Sequence, residues 1–235
     1  MLEMREEDGT QRVILIDASP DLRQQAIRHH VRRCDAILFT HHHVDHIFGL
    51  DEVRQFNARM KASIPIFAEA ATFENLQRVF LHIFEPHRND NESFVASLIP
   101  NIVKPLTPFE LFGLRITPVR LLHGRMPIVG YRIEWNDPAK GADDEVLPLA
   151  YCTDVSAIPP ETYGHLTGLK TLALDALRYR HHPTHFNVDQ ATAAAEIGAE
   201  RTFLIHMTHD ISHADLEERL PEGVRLAYDG LTLGA

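Results

Sequence analysis

Residues 35–46 have the sequence DAILFTHHHVDH, in which an apolar run leads directly into a cluster of ligand-type side chains. The apolar run predicts a strand. Because side chains two positions apart in extended backbone point the same way, we expect His41 and His43 to face one metal together. Asp45 and His46 follow in a predicted loop before a helix, and they offer a carboxylate and an imidazole to a neighbouring metal. A histidine cluster alone is also typical of a solvated run or a weak nickel-binding tract, but the aspartate at this spacing favours a metal site.

Three later apolar stretches each end in one further ligand-type residue. RITPVRLL is followed by His123, LPLAYCT by Asp154 and TFLI by His206. Taken singly, each is more typical of an ordinary structural residue: His123 of a turn before Gly124, Asp154 of a cap and His206 of a buried core histidine. In open α/β sheets, however, ligands gather beyond the carboxyl ends of strands. We therefore expect the three side chains to converge with those at 41–46.

Strand-like and helix-like stretches alternate along the chain without a composition break or an internal repeat. This order predicts one layered α/β domain over residues 1–235. The first predicted helix, residues 20–31, has Leu22, Ala26 and Ile27 on one face, and DPAKGADDE (137–145) is predicted as a turn. The principal further predictions are strands at 64–68, 114–122, 128–135 and 171–177, and helices at about 49–60, 71–80 and 188–199.

Composition excludes several classes of protein. Apolar residues make up 44% of the 235 positions, which is enough for a folded core. No apolar run reaches the length of about 18 residues that a membrane helix needs, and the first residues are acidic, so we expect a cytoplasmic protein without a membrane partner. The net charge of −10 argues against an extended nucleic-acid surface but is compatible with a small anionic substrate.

The numbers of cysteines and histidines are both informative. The two cysteines, Cys34 and Cys152, lie in apolar runs and are predicted to be core residues rather than a disulfide or a thiolate metal cluster. The 16 histidines are unusually many for this length, and histidine is the commonest metal ligand. Three of them, His29, His30 and His87, lie in polar surroundings and are predicted to be solvated.

The motifs THHHVDH, His123-Gly124, Thr153-Asp154 and the strand-terminal His206 resemble the successive metal motifs of the metallo-β-lactamase superfamily. The resemblance implies a four-layer αββα sandwich. It also implies that His41, His43 and His123 hold one divalent metal, that Asp45, His46 and His206 hold a second, and that Asp154 bridges them. An aspartate rather than a cysteine at position 154 is similar to the phosphodiesterase branches of the superfamily.

Four further segments narrow the resemblance: IDASPDLRQQ, GLDEVRQFN, HHPTHFNVDQA and LIHMTHDISH. They look like the PhnP-type phosphoribosyl cyclic phosphodiesterases over most of the chain, from about Val13 to Gly230. Ribonuclease Z is a more distant relative with the same ligands. Biosynthesis protein B of pyrroloquinoline quinone shares the ASPDLRQQ-like segment, but that family has a degenerate metal motif, whereas the motif here is intact.

These residues predict a two-metal hydrolysis of a small, cyclic ribose or nucleotide phosphodiester. Asp45 is placed to accept a hydrogen bond from the nucleophilic water and is the predicted orienting base. By resemblance, His185 is the general acid, with His182 as the alternative, and Arg178 and Arg180 are candidates for binding phosphate oxygens. A ligand set of histidine and carboxylate without thiolate suits Mn or Zn, with Fe as a further option.

The sequence leaves three alternative functions to be considered. A tRNA 3′-processing nuclease would be expected to carry a basic, flexible arm, and no such insertion is visible. A non-catalytic accessory protein of cofactor biosynthesis would not need Asp45 or His185. Another ester or thioester hydrolase on the same metals is compatible with the sequence, since one fold supports many chemistries.

The beginning of this sequence differs from that of the PhnP-type proteins that it resembles. PhnP-type relatives begin with an additional strand and a short cysteine cluster that, with a histidine matching His209, holds a structural metal. We therefore expect a form that lacks the first strand, binds no metal at His209 and is less stable than a longer version, because an unpaired strand edge promotes association. The resemblance also suggests a homodimer.

Overall fold

A computed structural model of the chain describes residues 1–6, 8–90 and 94–234. They form two compact units, residues 1–104 and 105–235. Each unit contains one β-sheet and its own cluster of buried apolar residues. The prediction of one domain over residues 1–235 stays a prediction.

The sheet of the first unit has five strands in the order β1-β2-β3-β4-β5. Only β1 and β2 pair antiparallel, and the remaining neighbours are parallel. Its strands are β1 (Leu2–Arg5), β2 (Gln11–Ile16), β3 (Ala36–Leu38), β4 (Ile64–Ala68) and β5 (Leu98–Ile102). Its helices are α1 (Leu22–Arg28), α2 (Val44–Ile47), α3 (Arg54–Met60), α4 (Ala70–Val79) and α5 (Leu81–Phe84), with single 3₁₀ turns at Leu50–Val53 and Pro86–Arg88.

The core of this unit lies where the parallel strands meet the helices. The apolar run of β3 continues into Phe39, and the side chains of Ile37, Leu38 and Phe39 are wholly buried. On the predicted helix at 49–60, Leu50 and Val53 are also wholly buried, as the helical spacing indicated. Burial of this kind contributes about 1.5–3 kcal/mol for each large apolar side chain.

The first helix is shorter than predicted and is oriented differently. It spans Leu22–Arg28 instead of residues 20–31, and Leu22 is its buried apolar anchor, with Ala26 half-buried. Ile27 is 67% exposed, so the prediction that it shares the buried face was wrong. Positions 22 and 26 are one helical turn apart and share a face, whereas position 27 is rotated toward solvent. Three apolar residues alone do not show which face of the helix is buried.

The second unit has a seven-stranded mixed sheet in the order β12-β11-β10-β9-β8-β7-β6. Strands β9, β10, β11 and β12 are parallel neighbours, and β6 to β9 form an antiparallel series. The strands are β6 (Phe109–Leu111), β7 (Leu114–His123), β8 (Met126–Trp135), β9 (Leu149–Cys152), β10 (Thr171–Asp175), β11 (Arg201–Ile205) and β12 (Val224–Leu226). The helices are α6 (Pro138–Asp143), α7 (Pro160–Tyr163), α8 (Val188–Ala194), followed by a 3₁₀ turn at Ala195–Ile197, and α9 (His213–Glu217).

Helix α6 corrects the prediction of a turn at 137–145. Asp137 is its N-cap residue and accepts a hydrogen bond of 2.9 Å from the backbone N–H of Ala139, with Pro138 in the first turn. An aspartate followed by proline is a typical helix start. The glycine and the acidic residues that follow favour a turn in isolation, so the sequence supports both interpretations.

The two cysteines confirm their predicted role. Cys34 and Cys152 are free and wholly buried, each within the core of its own unit. Burial raises the pKa of both thiols, to about 12 for Cys152, so neither provides a thiolate near neutral pH.

The three histidines predicted to be solvated, His29, His30 and His87, are exposed. Separately, none of the helices in the described ranges combines the length and the apolar character that crossing a bilayer requires.

Candidate metal centre

The first ligand set lies in the first unit, directly after β3. The ring centroids of His41 and His43 are 4.7 Å apart, and those of His41 and His46 are 4.1 Å apart. Nε2 of His46 lies 3.4 Å from Oδ2 of Asp45. Because His41 and His46 are buried while Asp45 is exposed, the set is anchored on one side and open on the other.

The local backbone differs in one respect from the prediction. Asp45 and His46 do not lie in a loop before a helix but within a short helix of their own, α2, for which His43 is the N-cap residue with extended φ and ψ of −65° and 154°. The change from extended to helical backbone at Val44 turns the chain sharply. As a result, the side chains at 41, 43 and 46 meet although they are not on one continuous strand.

Asp17 positions this set, and the sequence prediction missed it. Its carboxylate accepts hydrogen bonds from Nδ1 of His46, from the backbone N–H of Thr40 and from the hydroxyl of Thr40, each at 2.8 Å. The Thr40 hydroxyl also lies 3.0 Å from Nδ1 of His41. Since Nδ1 of His46 donates its proton to a carboxylate, Nε2 carries the lone pair that can bind a metal.

The second ligand set lies in the second unit at one edge of its sheet. Strands β7, β9 and β11 all run in the same direction, so their carboxyl ends meet there. Nε2 of His123 lies 4.0 Å from Oδ2 of Asp154, and Nε2 of His206 lies 3.7 Å from Oδ1 of the same carboxylate. The predicted convergence of these three residues is therefore present within this unit.

Backbone and carboxylate acceptors orient both histidines of the second set. Nδ1 of His123 donates to the carbonyl oxygen of Thr184 at 2.7 Å. Nδ1 of His206 lies 3.2 Å from Oδ1 of Asp175. The Nδ1 hydrogen bond holds the His123 ring, whereas Nδ1 of His206 only lies close to the Asp175 carboxylate. In both residues Nε2 is the atom directed at Asp154, as is usual for histidines that bind metals.

Asp175 and His185 form a hydrogen-bonded pair beside this set. The wholly buried carboxylate of Asp175, at the end of β10, accepts from Nδ1 of His185 at 3.0 Å and from the backbone N–H of Val155 at 2.9 Å. The His185 ring stacks on His206 with centroids 5.0 Å apart and meets the edge of His123 at 4.5 Å. His185 thus lies in contact with two predicted ligands.

Three of the positioning or ligand residues have left-handed backbone. The φ angles of Asp17, Asp154 and His206 are 61°, 57° and 63°. This conformation is uncommon for residues other than glycine and concentrates at functional sites. Each of the three stands immediately after a strand or one residue beyond it, where a sharp turn directs the side chain over the sheet edge.

The donor chemistry fits divalent metals. Within each set, imidazole nitrogens and carboxylate oxygens converge at distances of 3.4–4.0 Å, and the opposite ring nitrogens of His46, His123 and His206 are engaged by Asp17, Thr184 and Asp175. Nitrogen and oxygen donors without thiolate suit Zn, Mn or Fe. That the two sets hold the same pair of metals stays a prediction.

The predicted residues Arg178, Arg180 and His182 lie on the same loop as His185. The His182 ring centroid is 5.1 Å from that of His185, and burial, followed by the nearby His185 and Arg178, lowers the pKa of His182. The Arg178 guanidinium donates to the carbonyl oxygens of Arg180 and His181. The His209 side chain is 98% exposed, with Nε2 3.7 Å from Asp210.

Comparison with known proteins agrees with this geometry. The family model described as a beta-lactamase superfamily domain matches residues 12–207. The chain therefore belongs to the beta-lactamase superfamily, and its fold is the metallo-β-lactamase α/β sandwich with two mixed sheets. Together with the histidine and aspartate clusters, this membership defines a domain of the metal-dependent hydrolase class.

A solved relative places the chain within the PhnP family. The crystal structure of a diphosphatase from that family superimposes with a TM-score of 0.80 at 36% identity, covering 96% of this chain and 80% of the relative. The short form of human tRNase Z shares the fold, with a TM-score of 0.71 at 18% identity over 97% of this chain and 89% of the enzyme.

A curated relative is similar over nearly the whole chain but is much longer. The octanoyltransferase of Porphyromonas gingivalis is 33% identical over 221 residues, which are 93% of this chain and 41% of that protein. The chain thus spans about two-fifths of the length of this relative.

Proposed function

We propose that this protein is a metal-dependent phosphodiesterase that uses water to open a small, cyclic ribose or nucleotide phosphodiester. The observation that carries the proposal is that His46, His123 and His206 each place Nδ1 against an oxygen atom of the protein, which leaves Nε2 for metal. Similarity to a diphosphatase of the PhnP family supports a phosphorus-containing substrate.

The proposed centre joins the two ligand sets. His41, His43 and His123 would hold one divalent metal, Asp45, His46 and His206 the other, and Asp154 would bridge them. Support comes from the superfamily match, which includes all seven positions between residues 12 and 207. Two such cations would neutralise phosphate oxygens and lower the pKa of a water molecule toward neutrality.

Asp45 is the proposed orienting base. Its side chain is 57% exposed, while the neighbouring His46 side chain is 9% exposed. A carboxylate so placed can bind metal through one oxygen and accept a hydrogen bond from a water molecule through the other. The attacking oxygen would then be directed at phosphorus while its proton is held at the Asp45 carboxylate.

His185 is the proposed general acid. Its Nδ1–H is committed to Asp175, so Nε2 is the atom that can carry a proton to the leaving oxygen. The buried negative charge of Asp175 also orients the ring, as in other histidine–carboxylate pairs. His182 is the alternative acid. Its Nδ1 lies 3.1 Å from the hydroxyl of Thr184, whereas Nδ1 of His185 is bonded to a buried carboxylate, which makes His182 the weaker candidate.

Of the two neighbouring arginines that were predicted to bind phosphate oxygens, we propose that role for Arg180 alone. Arg178 uses its guanidinium to support carbonyl oxygens of its own loop, so its role is to shape that loop. Arg180 is exposed beyond it and is the residue proposed to bind a remaining phosphate oxygen.

The test is a substrate panel on protein reconstituted with Mn or Zn. We expect turnover of bis(p-nitrophenyl) phosphate and of a 2′,3′-cyclic nucleotide, and loss of both on exhaustive chelation. A nucleoside diphosphate ester, a precursor tRNA and an octanoyl thioester test the alternatives of diphosphatase, nuclease and acyl hydrolase. Turnover that survives chelation, or that is confined to the thioester, would overturn the proposal.

The acid role of His185 has its own test. The p-nitrophenolate leaving group needs no proton near neutral pH, whereas a ribose alkoxide does. His185→Ala should therefore lower kcat on the cyclic nucleotide by about 10²-fold or more and change kcat on the nitrophenyl ester little. His181→Ala, on the exposed part of the same loop, is the control. Equal losses on both substrates would show a binding or structural role.

A further inference from the structure

A groove of about 480 Å³ opens in the first unit, between α1 and the start of α3. This volume is within the range of about 300–1,000 Å³ that is typical of small-molecule sites. We infer that the groove binds a small amphipathic anion, a molecule with a carboxylate or phosphate head and an apolar acyl or aryl body. The proposal does not depend on the metal chemistry. The lining residues are Leu22, Arg23, Ala26, Ile27, His30, Val31, Arg32, Glu52, Arg54, Gln55 and Phe56.

The inner wall of the groove is apolar. Leu22 and Phe56 belong to the buried core of the unit, and Ala26 and Val31 pack against that core while remaining half-buried. Ile27 is 67% exposed at the rim, one helical turn after Arg23. An apolar body lying along this wall would remove the exposed side chain of Ile27 from water, which contributes to binding roughly in proportion to the area covered.

The rim of the groove is cationic, although the chain as a whole has a net charge of −10. Three arginines line it against a single glutamate, Glu52. Arg54 forms an ion pair with Asp51, in which Nη1 lies 3.2 Å from Oδ2. The side chains of Arg23 and Arg32, in contrast, form neither a hydrogen bond nor an ion pair with any residue that the structure describes, and both are exposed. Two guanidinium groups beside an apolar wall match an anionic head group.

The size of the groove favours a small molecule over a macromolecule. Its lining comes from two short segments, 22–32 and 52–56, whereas a stable protein interface engages about 20–30 residues on each side. Extended nucleic acid would need a longer basic track. A concave site with an apolar wall and a few convergent charges is typical of small-ligand binding.

The probe is 8-anilinonaphthalene-1-sulfonate, an amphipathic anion whose fluorescence rises in apolar surroundings, titrated into the metal-loaded full chain. We expect saturable binding at one site, displaced by octanoate but neither by inorganic phosphate, which has no apolar body, nor by octylamine, which has the opposite charge. Displacement by octylamine as effective as by octanoate would overturn the proposal, and so would full displacement by phosphate alone.

Matched variants place the probe in the groove. The double variant Arg23→Gln/Arg32→Gln should weaken binding of the probe and of octanoate by about tenfold or more, because charge-assisted hydrogen bonds are lost. Arg28→Gln/Arg59→Gln removes two exposed arginines of α1 and α3 that do not line the groove, and it should leave both affinities unchanged. All four positions are exposed, so melting temperatures should stay close to wild type.

Equal affinities in the two double variants would overturn the proposal. Sedimentation across a range of protein concentrations tests a second copy of the chain as the alternative occupant. If probe binding disappeared as a dimer formed, and Ile27→Glu restored the monomer, the groove would be an interface between copies and the inference would be wrong.

Discussion

The two units of the chain supply the predicted metal ligands in different ways. In the first unit, one run of six residues carries His41, His43, Asp45 and His46, and the carboxylate of Asp17 anchors it. In the second unit, His123, Asp154 and His206 come from the ends of three strands, and sheet pairing brings them together. The first set is therefore built by local backbone geometry, and the second by topology.

This difference has a consequence for tolerance to substitution. A change within residues 41–46 acts on a segment whose geometry depends on a local turn into α2, whereas a change in the second set acts on strand ends that seven hydrogen-bonded strands hold in register. The half-buried Asp17 and the wholly buried Asp175 lie against histidines of the first and the second set, respectively. A single substitution at each aspartate therefore compares the two sets.

The largest effect is expected at Asp45. Asp45→Asn removes a proposed metal ligand and the acceptor for the attacking water, so kcat should fall by about 10³-fold or more at saturating metal. Far-ultraviolet circular dichroism should stay unchanged because the side chain is 57% exposed. Asp51→Asn, an acid on the following 3₁₀ turn, is the control. Wild-type kcat in Asp45→Asn would remove this residue from the mechanism.

An intermediate effect is expected for the orienting carboxylates. Asp17→Asn should weaken metal binding by about 10–100-fold, measured by competition with a chelator, with kcat largely recovered at saturating metal. Asp175→Asn should weaken metal binding to a similar extent but should not recover kcat on alkoxide substrates, because it also removes the partner of His185. If the two variants behaved alike with every substrate, the assignment of Asp175 to both histidines would be contradicted.

The smallest effect concerns acid stability of the first unit. Burial alone would raise the pKa of Asp35, but hydrogen bonds from Arg33, from the backbone N–H of Val13 and from Arg12 outweigh it, so its pKa lies below the ordinary value. A lowered folded-state pKa stabilises the fold above the unfolded pKa of about 4, and this stabilisation is lost as the pH falls through the folded value.

Asp35→Asn should therefore lower the free energy of unfolding by about 1–3 kcal/mol at pH 7, and the gap to wild type should close below about pH 4. Denaturant unfolding at several pH values measures this gap. Asp21→Asn, an exposed acid before α1 without a capping hydrogen bond, is the control. A gap that stayed constant with pH would show that packing, not the charge of Asp35, is responsible.

Local features were predictable where one strong pattern governs them. The strand at 64–68 was predicted with its observed bounds, and those of β7 and β8 within two residues, because long apolar runs bounded by turns leave few alternatives. Strands β5 and β6 were missed. The first contains Pro100 and is mostly exposed, and the second has three residues, so neither shows the alternation of a half-buried strand.

In the candidate site, too, some features follow from local sequence patterns and others do not. The sequence by itself determined the identity of the ligand-type residues, since H-x-H-x-D-H and strand-terminal His and Asp are local patterns. It also displays Asp17 and Asp175 at the ends of apolar strands, but nothing local distinguishes these carboxylates from ordinary turn residues. Only the tertiary structure decided that Asp17 meets His46 and that Asp175 meets both His185 and His206. The physical reason is that a hydrogen bond between residues far apart in the chain depends on strand order and on backbone turns, which no short stretch of sequence encodes alone.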